Sequence, residues 1–194
     1  MDSKKKITLS GINNKYQMKK LTQERKEEKQ RSITQSWNIS EDYYDFSKQL
    51  DIIKNININF ENKEKIPEIN KIFIREIERK ISNYRQQDLL KNILNHEKFI
   101  TLKDLIKMID DCKLHCYYCE DEMFILYKMV RESKQWSVDR INNSNGHNKD
   151  NIVLSCLECN LKRRNKNKDS FLFTKQLKIV RNNFNENMDV NNIL

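Results

Sequence analysis

Four of the 5 cysteines fall into two C-x-x-C pairs, Cys116/Cys119 and Cys156/Cys159. A C-x-x-C turn presents two sulfurs to one ion, and Zn²⁺ favours a tetrahedral shell of thiolates and imidazoles, so two such turns close the shell. These residues are therefore candidate ligands of a structural zinc. The pairs bracket the whole stretch between them, and a metal there would staple a region with little core of its own. The odd cysteine count and the repeated spacing argue against a disulfide framework and for thiolates in a reducing compartment. Four cysteines that merely pack are the alternative. Cys112 and His115 beside the first pair are competing ligands, either of which could replace a member of the set, but neither has a matching partner, and they read as a core cysteine and a surface residue.

After the first pair, and running through the second, comes WSVDRINNSNGHNKDNIVLSCLECN, from Trp136 to Asn160. Strand alternation puts Ser137, Asp139 and Ile141 on one face and Trp136, Val138 and Arg140 on the other. Asp139, near a strand end, offers an oxygen to Mg²⁺ or another hard divalent ion, distinct from the zinc. Asn160, just past Cys159, could complete that second site from the opposite side. The competing readings pair Asp139 with Arg140 or Arg131 and make Asn160 a helix cap. Lys162, Arg163, Arg164, Lys166 and Lys168 then form a basic run, either phosphate contacts beside the metal or a solvated helix face. Tyr117 and Tyr118 could stack on bases, whereas Trp136 reads as packing.

C-x-x-C, then VDRIN followed by GH and N, then C-x-x-CN with basic residues close behind, resembles the zinc-stapled branch of the HNH endonuclease family. The ββα-metal fold of that family is also similar to that of phage junction-resolving endonucleases (recombination endonuclease VII-like). The resemblance covers about residues 112–168 and implies a metal-dependent nuclease acting on DNA. It implies zinc ligation by Cys116, Cys119, Cys156 and Cys159, a catalytic divalent ion held by Asp139 and Asn160, and a loop pinned by Asn151. One departure matters: the slot of the usual catalytic histidine holds Arg140. A guanidinium stays charged and has no acceptor, so it cannot take a proton from water. His147 in the inter-strand loop is the nearest replacement as general base, with Gly146 before it letting the backbone bend. Arg140 would then clamp the scissile phosphate. Otherwise His147 decorates a polar turn and Arg140 binds phosphate without chemistry.

Around these residues the chain carries a formal charge of +9 and a pI of about 9.2, which favours a polyanion such as DNA, or RNA, over an acidic small molecule. A Lys, Asn and Ile-rich composition from AT-rich coding sequence would also make it basic. Hydrophobic residues make up 37% and charged residues 34% of the 194 positions, with mean hydropathy -0.89, so the core should be modest. No run has the apolar length of a bilayer span and no leader is evident, so a soluble intracellular protein in the cytoplasm or nucleus is expected. Oligomeric state is open, a homodimer included.

The elements that must position the site read as follows. Residues 1–36 are polar, and disorder or a solvated helix is expected, with Lys4 to Lys6 a localisation signal or a solvated basic start. Residues 37–111 should be helical. SEDYYDF opens a helix carrying Tyr43, Phe46, Leu50 and Ile53, and Pro67 precedes a long amphipathic helix carrying Ile69, Phe73, Ile77, Ile81 and Tyr84. Thr101 and Asp104 form a capping box before a third helix. Residues 112–168 then read knuckle, strand, loop, strand, knuckle, helix. Residues 169–194 form a tail in which Phe171 and Phe173 return to the core. The expected class is α+β: a helical N-terminal region followed by a small ββα-metal (HNH-like) module stapled by a four-cysteine zinc site. Besides the nuclease, two readings stay open: a catalytically inactive nucleic-acid-binding module, and a protein-interaction domain using the Ile69 to Tyr84 helix.

Overall fold

The helices and hairpin read from periodicity recur in a computed structural model, which describes residues 10–12, 14–15, 18–19, 29–62 and 66–177. The Lys4 to Lys6 stretch, most of the charge-alternating N-terminal segment and residues 178–194 lie outside the described residues. The order is α1 (Ser32–Trp37), a 3₁₀ turn (Glu41–Tyr44), α2 (Phe46–Asn62), α3 (Glu68–Leu90), α4 (Leu102–Asp111), β1 (Trp136–Arg140), β2 (Ile152–Cys156), α5 (Leu157–Arg163) and α6 (Lys168–Gln176). The architecture is thus mixed, with helices and one small two-stranded sheet.

The long helix α3 starts directly after Pro67, whose missing N–H costs nothing at a helix start. Its stripe buries Phe73 and Ile77 completely. Helix α4 carries the anticipated capping box, with the Asp104 N–H donating to Thr101 Oγ1 and the Thr101 N–H to Asp104. Ile53 and Ile56 of α2, Phe73 and Ile77 of α3, and Leu105, Ile106 and Ile109 of α4 share one buried cluster with Trp136, Val138, Leu154, Cys156 and Cys159. The helices and the cysteine-bracketed hairpin therefore pack as neighbours, and that is how a helix far away in sequence reaches the site.

β1 and β2 pair antiparallel with Trp136 opposite Cys156 and Arg140 opposite Ile152. Most of β1 is buried, and at its edge away from β2 the Val138 N–H donates to the Tyr84 hydroxyl of α3 while the Val138 carbonyl accepts from Asn160 of α5, so simple in-out alternation does not describe it. The loop between the strands is fixed by Asn151. Its Nδ2 donates to the carbonyls of Asn142 (3.0 Å) and Gly146 (2.9 Å), and its Oδ1 accepts from the Asn142 N–H (2.9 Å).

Several expectations need correction. Residues 29–36, assigned to a solvated segment, are built into the fold: Gln30 bridges to Met129, and Arg31 is buried against Glu76 and the Tyr127 ring. The SEDYYDF helix begins later, at Phe46, because Asp45 turns its carboxylate to the N–H of Ser47 and caps there. The tail continues as α6, capped by Asn167, and of its two phenylalanines only Phe171 is buried; Phe173 is 69% exposed.

Candidate active site

The four paired cysteines converge, their Sγ atoms all lying within 4.8 Å of one another, with Cys119 and Cys156 at 3.9 Å. A tetrahedron of Zn–S bonds of about 2.3 Å has edges of about 3.8 Å, so the set fits a metal such as zinc. The backbone explains how. Lys113, Leu114 and Glu120 adopt left-handed conformations that fold the first knuckle back on itself, and the Glu120 N–H donates to the Cys116 carbonyl. Cys156 ends β2 and also caps α5, accepting from the Cys159 N–H (3.4 Å). Cys112 stays out of the cluster: its Sγ donates to the Ile109 carbonyl, and burial raises its thiol pKa. His115 meets the Phe46 ring edge-on at 5.3 Å and takes no part either.

Beside this knuckle opens a cleft of about 430 Å³. It is lined by Lys80, Tyr84 and Gln87 of α3, Ser137 to Arg140 of β1, Asn143 and His147 of the inter-strand loop, and Leu157, Asn160, Leu161 and Arg164 at α5. Of the residues sequence reasoning singled out, Asp139, Arg140, His147, Asn160 and Arg164 meet here. The lining carries Lys80, Arg140 and Arg164 against the single carboxylate of Asp139, so its character is cationic and suited to a phosphate.

His147 is 3% exposed and held in one orientation. Its Nδ1 lies 2.8 Å from Asp88 Oδ1, its backbone N–H donates to Asp88 Oδ2 (2.6 Å), and its ring stacks on Tyr84 with centroids 4.5 Å apart. Asp88, itself fully buried near the end of α3, fixes the tautomer: with the proton on Nδ1 facing the carboxylate, Nε2 is left as an acceptor. Nε2 has no protein partner among the described residues. Burial holds His147 below its ordinary pKa, and the charges of Arg140 and Lys91 add to this against the pull of Asp88, so the neutral form prevails at neutral pH. Gly146 is required for the close approach, since a Cβ there would stand 2.7 Å from both Asp88 Oδ2 and the Ile93 carbonyl.

Arg140 is steadied from behind. Its Nη1 lies 3.3 Å from the Asn145 carbonyl, 3.4 Å from that of Asn143 and 3.8 Å from Asp88 Oδ1; Nε and Nη2 have no protein partner among the described residues. Lys80 donates to the Trp136 carbonyl and sits 4.7 Å above the Trp136 ring. Burial, with repulsion from Arg31 and Arg79, pushes its pKa down to about 7, while Glu76 opposes the shift. The Tyr84 hydroxyl accepts from the Val138 N–H (3.0 Å), and burial keeps that phenol protonated.

Asp139 has other partners than those weighed from the sequence. Its Oδ1 accepts from Arg163 Nη2 (2.8 Å), and its Oδ2 from the Tyr118 hydroxyl (2.7 Å) and Arg163 Nε. Arg163 is 1% exposed and also donates to the carbonyls of Arg140 and Lys166, so its assignment as a nucleic-acid contact is overturned by burial. Tyr118, wholly buried on Asp139, has no face left for a base. Asn160 turns its Nδ2 inward to Ser137 Oγ (3.1 Å) and the Val138 carbonyl (3.2 Å). In the basic run, Lys162 pairs with Glu158 and Lys168 lies by Asp169 and the Tyr117 ring; Lys166 is exposed, and Arg164 alone of the five lines the cleft.

A divalent ion does not fit Asp139 as arranged. Both carboxylate oxygens face a guanidinium, and the remaining donor is one neutral amide oxygen, a poor set for a hard dication that seeks carboxylates and water. Sequence reasoning missed Asp88, Tyr84 and Lys80. The signal was there: 80, 84 and 88 recur every four residues and so share one face of α3. Comparison with protein-family models, curated proteins and solved structures finds no match. No helix among the described residues is long and apolar enough to cross a membrane.

Proposed function

We propose that the protein is an HNH-like endonuclease that cleaves DNA phosphodiester bonds in the cleft between α3, β1 and α5. One observation carries the reading: a buried carboxylate, Asp88, orients a neutral histidine whose free nitrogen borders a cationic cleft beside Arg140. A base held by a second group and facing a phosphate-sized space is the arrangement that general-base catalysis needs. The hairpin followed by a helix, bracketed by four converging cysteines, supports the HNH-like form of the scaffold. In this reading a zinc held by Cys116, Cys119, Cys156 and Cys159 is structural and far removed from the chemistry in role.

The steps follow from the side chains. Arg140 and Arg164 bind the scissile phosphate and offset the charge that grows on its oxygens during attack. His147 Nε2 accepts a proton from the attacking water. Tyr84 holds the imidazole plane while Asp88 stabilises the imidazolium that forms. A second reading, a nucleic-acid-binding module without catalysis, is favoured by the Asp139–Arg163 pair, which takes up the carboxylate expected to hold a metal.

The test is nicking of supercoiled plasmid and of branched DNA by the wild type, His147→Ala and Arg140→Ala. Loss of general-base catalysis is expected to slow His147→Ala about 10²–10⁴-fold. Arg140→Ala should lose about 10²–10³-fold, as for other removed charge-stabilising donors. No nicking by the wild type, with salt-sensitive DNA binding intact, would leave the binding module as the correct reading.

A further inference from the structure

Asp139 is the carboxylate that the HNH resemblance gives to a divalent ion, yet a cation of the chain's own already stands there. The Arg163 guanidinium engages both Asp139 oxygens, and the remaining Asp139 partner is a hydroxyl proton from Tyr118. Arg163 is anchored from the other side as well, by the carbonyls of Arg140 and Lys166. Such a pair, buried on both sides and with its spare hydrogen-bonding groups satisfied, is the kind that holds, because separating it leaves an uncompensated charge. A divalent ion at Asp139 would have to displace the guanidinium or sit beside it, charge against charge. Asn160 does not change this, since its amide nitrogen is committed inward and only one neutral oxygen remains.

Positive charge for the phosphate is supplied elsewhere in the same cleft. Arg140 keeps Nε and Nη2 free of protein partners among the described residues, Arg164 is exposed, and Lys80 of α3 lines the same cleft. We infer that Arg163 takes the place of a catalytic divalent ion at Asp139, and that the cleft cleaves phosphodiesters by general-base chemistry without Mg²⁺. The inference rests on the nuclease reading above and specifies its chemistry. The water oxygen bonds to phosphorus as one water proton passes to His147 Nε2. The bond from phosphorus to the leaving sugar oxygen breaks with its electron pair on that oxygen, which takes a proton from solvent water. His147 then returns its proton to solvent, so no redox partner or further reactant enters.

The experiment uses zinc-loaded full-length protein, with plasmid nicking measured in buffer stripped of other divalent ions and again after adding Mg²⁺ or Mn²⁺. In parallel, Mn²⁺ is titrated into the wild type and Asp139→Asn and followed by electron paramagnetic resonance. Expected is a nicking rate that changes by less than about threefold on adding metal. The Mn²⁺ spectrum should be that of the free ion with either protein. Nicking that requires added metal, or an Mn²⁺ site present in the wild type and lost in Asp139→Asn, overturns the inference while leaving the nuclease reading standing. No nicking under any condition overturns the nuclease reading and the metal-free chemistry together. Should Asp139→Asn fail to fold, the nicking rates with and without added metal still decide, since a requirement for Mg²⁺ or Mn²⁺ overturns the inference.

Discussion

The cysteine knuckle and the cleft beside it are built from the same stretch of chain but by opposite means. The knuckle is local: each C-x-x-C pair is its own turn, and the hairpin needs only to bring the two turns together. The cleft is assembled from afar, with the Asp88 that orients His147 lying 59 residues earlier and the Arg163 that occupies Asp139 lying 24 residues later. Damage to the first should therefore cost the fold, and damage to the second should cost chemistry with the fold intact.

The largest effect is expected at the knuckle. Cys116→Ser, or removal of the metal by a strong chelator, should unfold the hairpin region, since apparent zinc affinities in small zinc-stapled folds reach about 10–16 kcal/mol. Bound zinc per chain and the near-ultraviolet circular dichroism of buried Trp136 check this together; a metal-free protein with an unchanged spectrum would break the contrast. Next comes Arg163→Met, which lies between the two classes because the residue is buried yet borders the site. Leaving Asp139 unpaired should cost about 3–5 kcal/mol in urea unfolding. A loss below about 1 kcal/mol would make the pair a surface-like contact.

The smallest effect is a pH dependence. His147 has a folded pKa below its ordinary value, mainly through burial. The unfolded chain therefore binds its proton more readily. Its contribution to stability is full above about pH 6.5, the unfolded value, and is lost as pH falls through the lower folded pKa. His147→Asn should flatten the stability profile in that window while leaving the region above it unchanged. A wild-type profile in which stability rises on acidification below pH 6.5 would mean that the Asp88 charge outweighs burial.

The same local-against-distant division decides what could be read from sequence. The cysteine set, the hairpin and the Pro67 and Thr101 helix starts were legible because each rests on spacing within a few residues, and the pinning role of Asn151 came with the family resemblance. The partner of His147 was not legible, because Asp88 continues the core-packed stripe of Phe73, Ile77 and Tyr84, and an apolar rhythm does not register a single carboxylate on its own face. The fate of Asp139 was hidden for a different reason. KRR offers two adjacent arginines, and only helical geometry separates them: Arg163 stands four residues after Cys159 and shares its buried face, whereas Arg164 follows in a left-handed conformation that ends α5 and turns outward. Residues 29–36 looked solvated because composition does not register a single buried ion pair such as Arg31 with Glu76.

The most direct measurement is plasmid nicking by Asp88→Asn compared with the wild type across pH, with circular dichroism confirming that both are folded. Asparagine can still accept the His147 backbone N–H but cannot stabilise an imidazolium, so a rate loss of about 10²–10⁴-fold is expected. A folded Asp88→Asn protein that nicks at the wild-type rate and with the wild-type pH profile would show that the α3 carboxylate does not serve His147, and would contradict the assembled-site account.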